Sequence, residues 1–272
     1  MRILVATGGA NHSDTAVLHG AHIAQYTHSS LTLLTVIRHE DDKQQAAAIL
    51  TRAASLAAQQ AITAEKRVRV GQVAAEIIKE ANSGNYDLLV VGERQTHGFM
   101  TRFFGPTADR IIAHMPCPII IAHQGHAAPK RLLLCEGGRD PSLLARVIGR
   151  LTPLLTASQE LTVLHVMSQM AAAPGITGWE LQADAGTLMA QHTREGELLE
   201  RDAQTLQMLP VHLQTKIRHG LVVEEILAEA SGGDYDLVII GAHQGSKWER
   251  FLLDDLAHRI VTKSNTSILI VS

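Results

Sequence analysis

The residues of this chain best suited to chemistry are glycines, hydroxyls and one arginine set just beyond apolar runs. Segment 92–109, GERQTHGFMTRFFGPTAD, holds Gly92 and Gly105 and leads into the helical pattern TADRIIAH. Glycines let a backbone approach an anion, and a helix N-terminus offers unpaired N–H groups and a favourable dipole. Arg94 and His97 add positive character, and Thr107 supplies a hydroxyl one position after Pro106. Ala6, Thr7 and Gly8 end the first apolar run, and Val36 lies at the end of the second. This set reads as a phosphate cradle. Ala6, Thr7, Gly8, Val36, Gly92, Arg94, Gly105 and Thr107 are the candidate ligand-binding residues.

Other chemistry is weaker. The chain has fifteen histidines, with His19 and His22 on one helix face and His123 and His126 flanking a linker. Neither pair has a Cys or carboxylate at zinc spacing, so solvent-facing histidines and no metal are expected. Cys117 and Cys135 lack CxxC spacing and read as buried structural thiols, which points to a reducing, cytoplasmic compartment. No Ser-His-Asp arrangement, P-loop or paired carboxylates are visible, so no catalytic residue is assigned and no turnover is expected. A net charge of -3 gives no footprint for nucleic acid. No apolar run reaches the ~18–20 residues of a membrane span, and Met1-Arg2-Ile3 opens a strand instead of a signal peptide.

The elements that must position the cradle occur twice. RVRVGQVAAEIIKEANSGNYDLLVVGERQ (67–95) returns as KIRHGLVVEEILAEASGGDYDLVIIGAHQ (216–244). Gly71/Gly220, Glu76/Glu225, Tyr86/Tyr235, Asp87/Asp236, Gly92/Gly241 and Gln95/Gln244 all stand 149 residues apart, the mark of a duplicated unit. In each copy apolar runs alternate with 3.6-periodic segments, which predicts a doubly wound α/β fold with a parallel sheet. Ser13 is the expected N-cap of the first helix, and Val73, Ile77 and Ala81 share the face of a later one. Domain 1 is expected over 1–124 and domain 2 over 129–272, with an inserted surface loop around 168–182. Asp87 and Asp236 precede buried strands and suit turns held through side-chain to backbone bonds. Glu76 and Glu225 fit a solvated helix face. Glu136 stands at the tip of strand one in the second copy, where Thr7 stands in the first, and is a further candidate for ligand hydroxyls.

With ILVATGGANHSDTAV, LTLLTVI, LTVLHVM and VGERQTHGFMTRFFGPTADRIIAHMPCPIII in view, the chain resembles the universal stress protein family in its tandem form. That resemblance implies two Rossmann-like, five-stranded parallel sheets of order 3-2-1-4-5. It also implies an intramolecular pseudo-dimer through the closing strands PIIIA and SILIV, the surface for self-association. One subclass of the family binds ATP through Gly, two residues, Gly, nine residues and Gly-Ser/Thr, with an Asp after strand one. Here Gly92 and Gly105 keep the frame, but Gln95, Pro106 and Gly8 replace the middle glycine, the hydroxyl residue and the Asp. In the second copy Gln244, Asp254, Asp255 and Gly137 stand at the corresponding places, and carboxylates at that helix start disfavour a phosphate. The expectation is a cytoplasmic, non-enzymatic stress-response binding protein that senses ATP, ADP or AMP in domain 1 and holds no nucleotide in domain 2. A nucleotide-independent interaction module is the alternative, with an ATP-hydrolysing or adenylating enzyme behind it.

Overall fold

A computed structural model describes residues 1–93, 105–123, 128–138, 142–168, 182–242 and 256–272. They group into two compact units: 1–128 with 267–270 and 272, and 129–266 with 271.

The first unit runs β1 (Arg2–Ala6), α1 (Asn11–Tyr26), β2 (Ser30–Ile37), α2 (Lys43–Ala58), β3 (Ala64–Val70), α3 (Val73–Ser83), β4 (Leu88–Gly92), α4 (Gly105–Ala113) and β5 (Ile119–Ala122). Its strands lie in the order β3-β2-β1-β4-β5, each pair parallel. Ile3, Leu4, Val5, Leu88, Leu89 and Val90 are fully buried, as uninterrupted apolar strands covered on both faces must be. The second unit contains β6 (Arg131–Glu136), α5 (Leu143–Ala157), β7 (Glu160–Met167), α6 (Ala185–Ala190), α7 (Arg194–Leu206), β8 (His212–His219), α8 (Val222–Gly232), β9 (Leu237–Gly241) and α9, helical residues 256–263. Its strands lie in the order β9-β6-β7-β8, again parallel. The last strand, β10 (Ser267–Val271), runs antiparallel to β5, with Ile119, Ile120 and Ile121 opposite Ile270, Leu269 and Ile268. All six are fully buried, so the apolar edge of β5 is covered. The fold is α/β with a mixed, mostly parallel strand arrangement.

Two local expectations change. Helix α1 starts at Asn11 with Ala10 as its cap, and Ser13 lies inside it. Val73 is 37% exposed whereas Ile77 and Ala81 are buried, so the apolar face of α3 begins one turn later. Within 184–207 there are two helices, α6 and α7, each started by a capping side chain: Asp184 accepts from Thr187 N and Thr193 from Gly196 N. Most of the inserted loop expected at 168–182 lies outside the described residues.

The duplicated residues build one clasp twice. Arg69 reaches from β3 to α3, with Nε 2.5 Å from Glu80 and Nη1 3.4 Å from Glu76, and the Tyr86 hydroxyl donates to Glu80 at 3.1 Å. In the second unit Arg218 donates to Glu225 (2.6 Å) and Glu229 (3.1 Å), while Lys216 (2.7 Å) and the Tyr235 hydroxyl (2.8 Å) complete the shell of Glu229. Glu76 and Glu225 are therefore ion-paired on the face turned to the sheet, in place of the solvated face expected. They also press on the turn before: a Cβ on Gly71 or Gly220 would stand 3.0 or 2.7 Å from the following glutamate, and both glycines hold φ of +144° or +151°. Burial raises both tyrosine hydroxyls above their ordinary range, so they remain donors.

Asp87 and Asp236 join strands through backbone bonds. Asp87 accepts from Arg2 N at 2.8 Å, and Asp236 accepts from Lys130 N and Arg131 N at 2.9 and 2.8 Å. Asp236→Ala frees two amides and is expected to cost about 1–2 kcal/mol, with Asp87→Ala costing less. The midpoint of urea unfolding checks the order; a larger loss from Asp87→Ala would contradict it.

Candidate functional site

The carboxyl ends of β1, β2 and β4 surround a cavity of about 330 Å³ in the first unit. Parallel α/β sheets collect ligands at this edge, where strand order reverses. At the tip of β1, Thr7 is buried and doubly anchored. Its N–H donates to Leu34 O at 2.8 Å and its carbonyl accepts from Thr35 Oγ1 at 2.8 Å. The turn beyond is tight: Gly8 N donates to Ser13 Oγ at 3.1 Å and Gly9 N to Thr7 Oγ1 at 3.4 Å. Ser13 thus closes the β1–α1 loop from inside the helix. The cap residue Ala10 provides no side-chain acceptor for the start of α1.

Gly92 ends β4 directly against this helix. A Cβ there would fall 1.9 Å from the His12 carbonyl oxygen, so only glycine admits the contact.

Of the residues expected to bind, Ala6, Thr7, Gly8, Val36, Gly92 and Thr107 all line the cavity, joined by His12 and Ser13. Gly105 is the first residue of α4, whose Thr107, Ala108 and Ile111 reach the cavity. Arg94, Gln95 and His97 lie outside the described residues, as do Gln244, Asp254 and Asp255. The sequence reading missed Ile77 from α3 and Ile111 from α4, which supply apolar wall. Their helical stripes were visible, but nothing in a stripe says that its end overhangs the strand tips. Among the described lining residues there is no Asp, Glu, Lys or Arg. Hydroxyls and backbone would meet a ligand's polar part, and aliphatic side chains its flat apolar part.

Beside the cavity strands, Glu93 follows β4 and His123 follows β5. His123 Nδ1 lies 2.8 Å from Glu93 Oε2, with side chains 3% and 5% exposed. His19 is also buried, 2% exposed within α1. Neither histidine is solvent-facing as expected: one is paired with a carboxylate and the other is buried within α1. Cys117 is buried and Cys135 partly exposed. Among the described residues no three His, Cys, Asp or Glu side chains group to hold a metal ion, and no helix is long and apolar enough to cross a membrane.

At the same edge of the second unit two charged side chains, Glu136 and Arg146, turn onto its own backbone. Glu136 replaces Thr7 and is 3% exposed. Its Oε1 accepts from Gly138 N at 3.1 Å and its Oε2 from Leu144 N at 3.3 Å, so a carboxylate occupies the start of α5. Ser142 adds a second cap by accepting from Ala145 N at 3.1 Å. Both oxygens of Glu136 are thus committed to backbone, not offered to ligand hydroxyls. Arg146 spans the tip of β9, donating to Ala242 O (3.4 Å) and Val271 O (3.2 Å). One of its nitrogens lies 2.8 Å from where a Cβ on Gly241 would stand.

Fold and site together define a doubly wound α/β domain with a cavity at its strand ends in the first copy and with Glu136 and Arg146 turned onto backbone at the same edge of the second. A model of the Universal stress protein family matches residues 1–123 and 142–272. The chain belongs to the universal stress protein family. It is 29% identical over 116 residues to universal stress protein YxiE of Bacillus subtilis (strain 168), covering 40% of this chain and 78% of that protein. A universal stress protein from Archaeoglobus fulgidus DSM 4304 has the same fold, with a TM-score of 0.76 at 15% identity over 100% of this chain and 98% of that one. A universal stress protein crystallised in complex with cAMP is 25% identical over 46% of this chain and 98% of its own, with a TM-score of 0.40.

Proposed function

We propose that this protein is a stress-response binding protein whose first unit senses an adenine nucleotide in the strand-end cavity, while the second unit is a structural partner that holds none. The observation carrying this reading is the contrast between equivalent edges. One presents a cavity of about 330 Å³ with no Asp, Glu, Lys or Arg among its described lining residues, and with Gly92 pressed on an α1 start whose N-cap Ala10 makes no side-chain cap bond. The other has a carboxylate and a guanidinium in its corresponding space. The cavity volume lies at the lower end for small-molecule sites. Its aliphatic walls suit a purine, and Thr7, Ser13 and Thr107 suit the sugar and phosphate.

Titration calorimetry of the full chain with ATP, ADP, AMP and cAMP tests the reading. One site per chain is expected, with heat at nucleotide concentrations below about 1 mM. Absence of heat at that level would leave the nucleotide-independent interaction module. Steady release of AMP or ADP from labelled ATP would instead make the protein an enzyme.

A further inference from the structure

The second unit buries a carboxylate that neither the clasp nor the cleft uses. Asp202 lies on α7, is 1% exposed, and its Oδ2 has no hydrogen-bond partner among the described residues. Among the described residues its Oδ1 meets the guanidinium of its neighbour Arg201, at 3.3 Å, and that guanidinium is half exposed. The opposing charge comes from β6, where the buried Glu136 carboxylate acts against ionisation of Asp202. The equivalent positions in the first unit, 129 and 149 residues earlier, are Thr7 and Ala53, which carry no charge. Two buried acids have therefore replaced two neutral residues at one point of the repeat.

Several titratable groups on the strands packed against α7 are turned to other partners. On β7, His165 turns its Nδ1 to the Glu136 carbonyl at 2.9 Å. On β8, His219 turns its Nε2 to the Ala183 carbonyl at 2.9 Å, while Lys216 and Arg218 are drawn to Glu229 on α8. Helix α6 carries no titratable side chain, and its cap Asp184 is spent on Thr187 N.

We propose that the buried Asp202 carboxylate is a proton-operated brace of α7: a proton taken from solvent by Asp202 tightens the second unit, and its release loosens it. Burial first, and the Glu136 charge second, raise the Asp202 carboxyl from 3.8 to about 6, with Arg201 opposing. The sign follows from linkage. A carboxyl with a raised folded value stabilises the fold when protonated, and that contribution fades as pH rises from 3.8 through about 6. The second unit is therefore tighter in mild acid than at neutral pH, a response the first unit lacks at this point.

Side-chain carboxyl NMR of the full chain between pH 4 and 8 reads the proton directly. A midpoint for Asp202 near 6, falling in Glu136→Gln, is the expected result. In a second arm, hydrogen exchange of α7 amides in Asp202→Asn is compared with the unaltered protein at matched pH. About ten-fold slower exchange is expected at pH 7.5 and no difference at pH 5, because the buried charge that loosens α7 is present only at the higher pH. An Asp202 midpoint in the ordinary carboxylate range overturns the proposal, as does an equal change in exchange at both pH values. Should Asp202→Asn fail to fold, the titration of the unaltered chain decides alone.

Discussion

Gly92→Ala is expected to cost the first unit about 3 kcal/mol and to abolish ligand binding at its cavity, while the equivalent Gly241→Ala costs about 1 kcal/mol or less. The two positions are 149 residues apart and look interchangeable in sequence. Their surroundings are not. A Cβ on Gly92 would stand 1.9 Å from the His12 carbonyl oxygen and 2.7 Å from its carbon, both backbone atoms in the first turn of α1. Backbone in a packed helix cannot step aside like a side chain, so β4 and α1 must separate. Such overpacking costs about 1–3 kcal/mol and occasionally more. The cavity is built from both elements, so its shape goes with the contact. A Cβ on Gly241 meets the end of the Arg146 side chain at 2.8 Å, which can rotate away. Thermal unfolding should show a drop of about 10 °C in the transition of the first unit for Gly92→Ala. Equal losses for the two variants would show that the close approach at Gly92 is not what requires glycine.

Glu229→Ala is expected to cost about 2–4 kcal/mol, and the clasp it anchors should fail in acid. Glu229 accepts from Lys216, Arg218 and the Tyr235 hydroxyl, and removing it leaves all three without that acceptor. Breaking a buried ion pair costs about 3–5 kcal/mol, reduced here because Lys216 and Arg218 are 40% and 35% exposed. Burial pushes the Glu229 carboxyl up, but its bonds from Lys216, Tyr235 and Arg218 outweigh that and hold it below 4.5. With the folded value depressed, the stabilisation is fully present above pH 4.5 and fades as pH falls through that lower value. Urea unfolding of Glu229→Gln and the unaltered protein should therefore differ at pH 7 and converge in acid. A gap that does not narrow at all as pH falls below 4.5 would count against the ionised clasp. The slope is opposite to that expected from Asp202, so the two variants separate the contributions.

How much was legible beforehand depends on how local the cause is. Strands such as β4 announced themselves, because LLVVG can only be a short run buried on both faces. The cavity residues Thr7, Val36 and Gly92 followed from knowing where a parallel sheet reverses its order. Ser13 was misassigned as a cap because a hydroxyl near a helix start serves equally well one turn inside it, closing the loop onto Gly8 N. Glu76 and Glu225 looked solvated because their partners, Arg69 and Arg218, lie on the preceding strand, and a helical wheel does not include the strand packed against it. Glu136 was a further candidate for ligand hydroxyls, and its carboxylate turns onto the Gly138 and Leu144 amides.

From the sequence alone came the duplication, the alternation of strands and helices, the family and the edge at which a ligand would sit. These rest on periodicity and on residues recurring 149 positions apart, which chain order preserves. Tertiary structure decided which copy keeps an open edge. That outcome depends on where the Glu136 carboxylate and the Arg146 guanidinium turn, and on Gly92 meeting the carbonyl of His12. Each is a contact between residues distant in the chain or a choice of side-chain direction, and neither leaves a periodic trace.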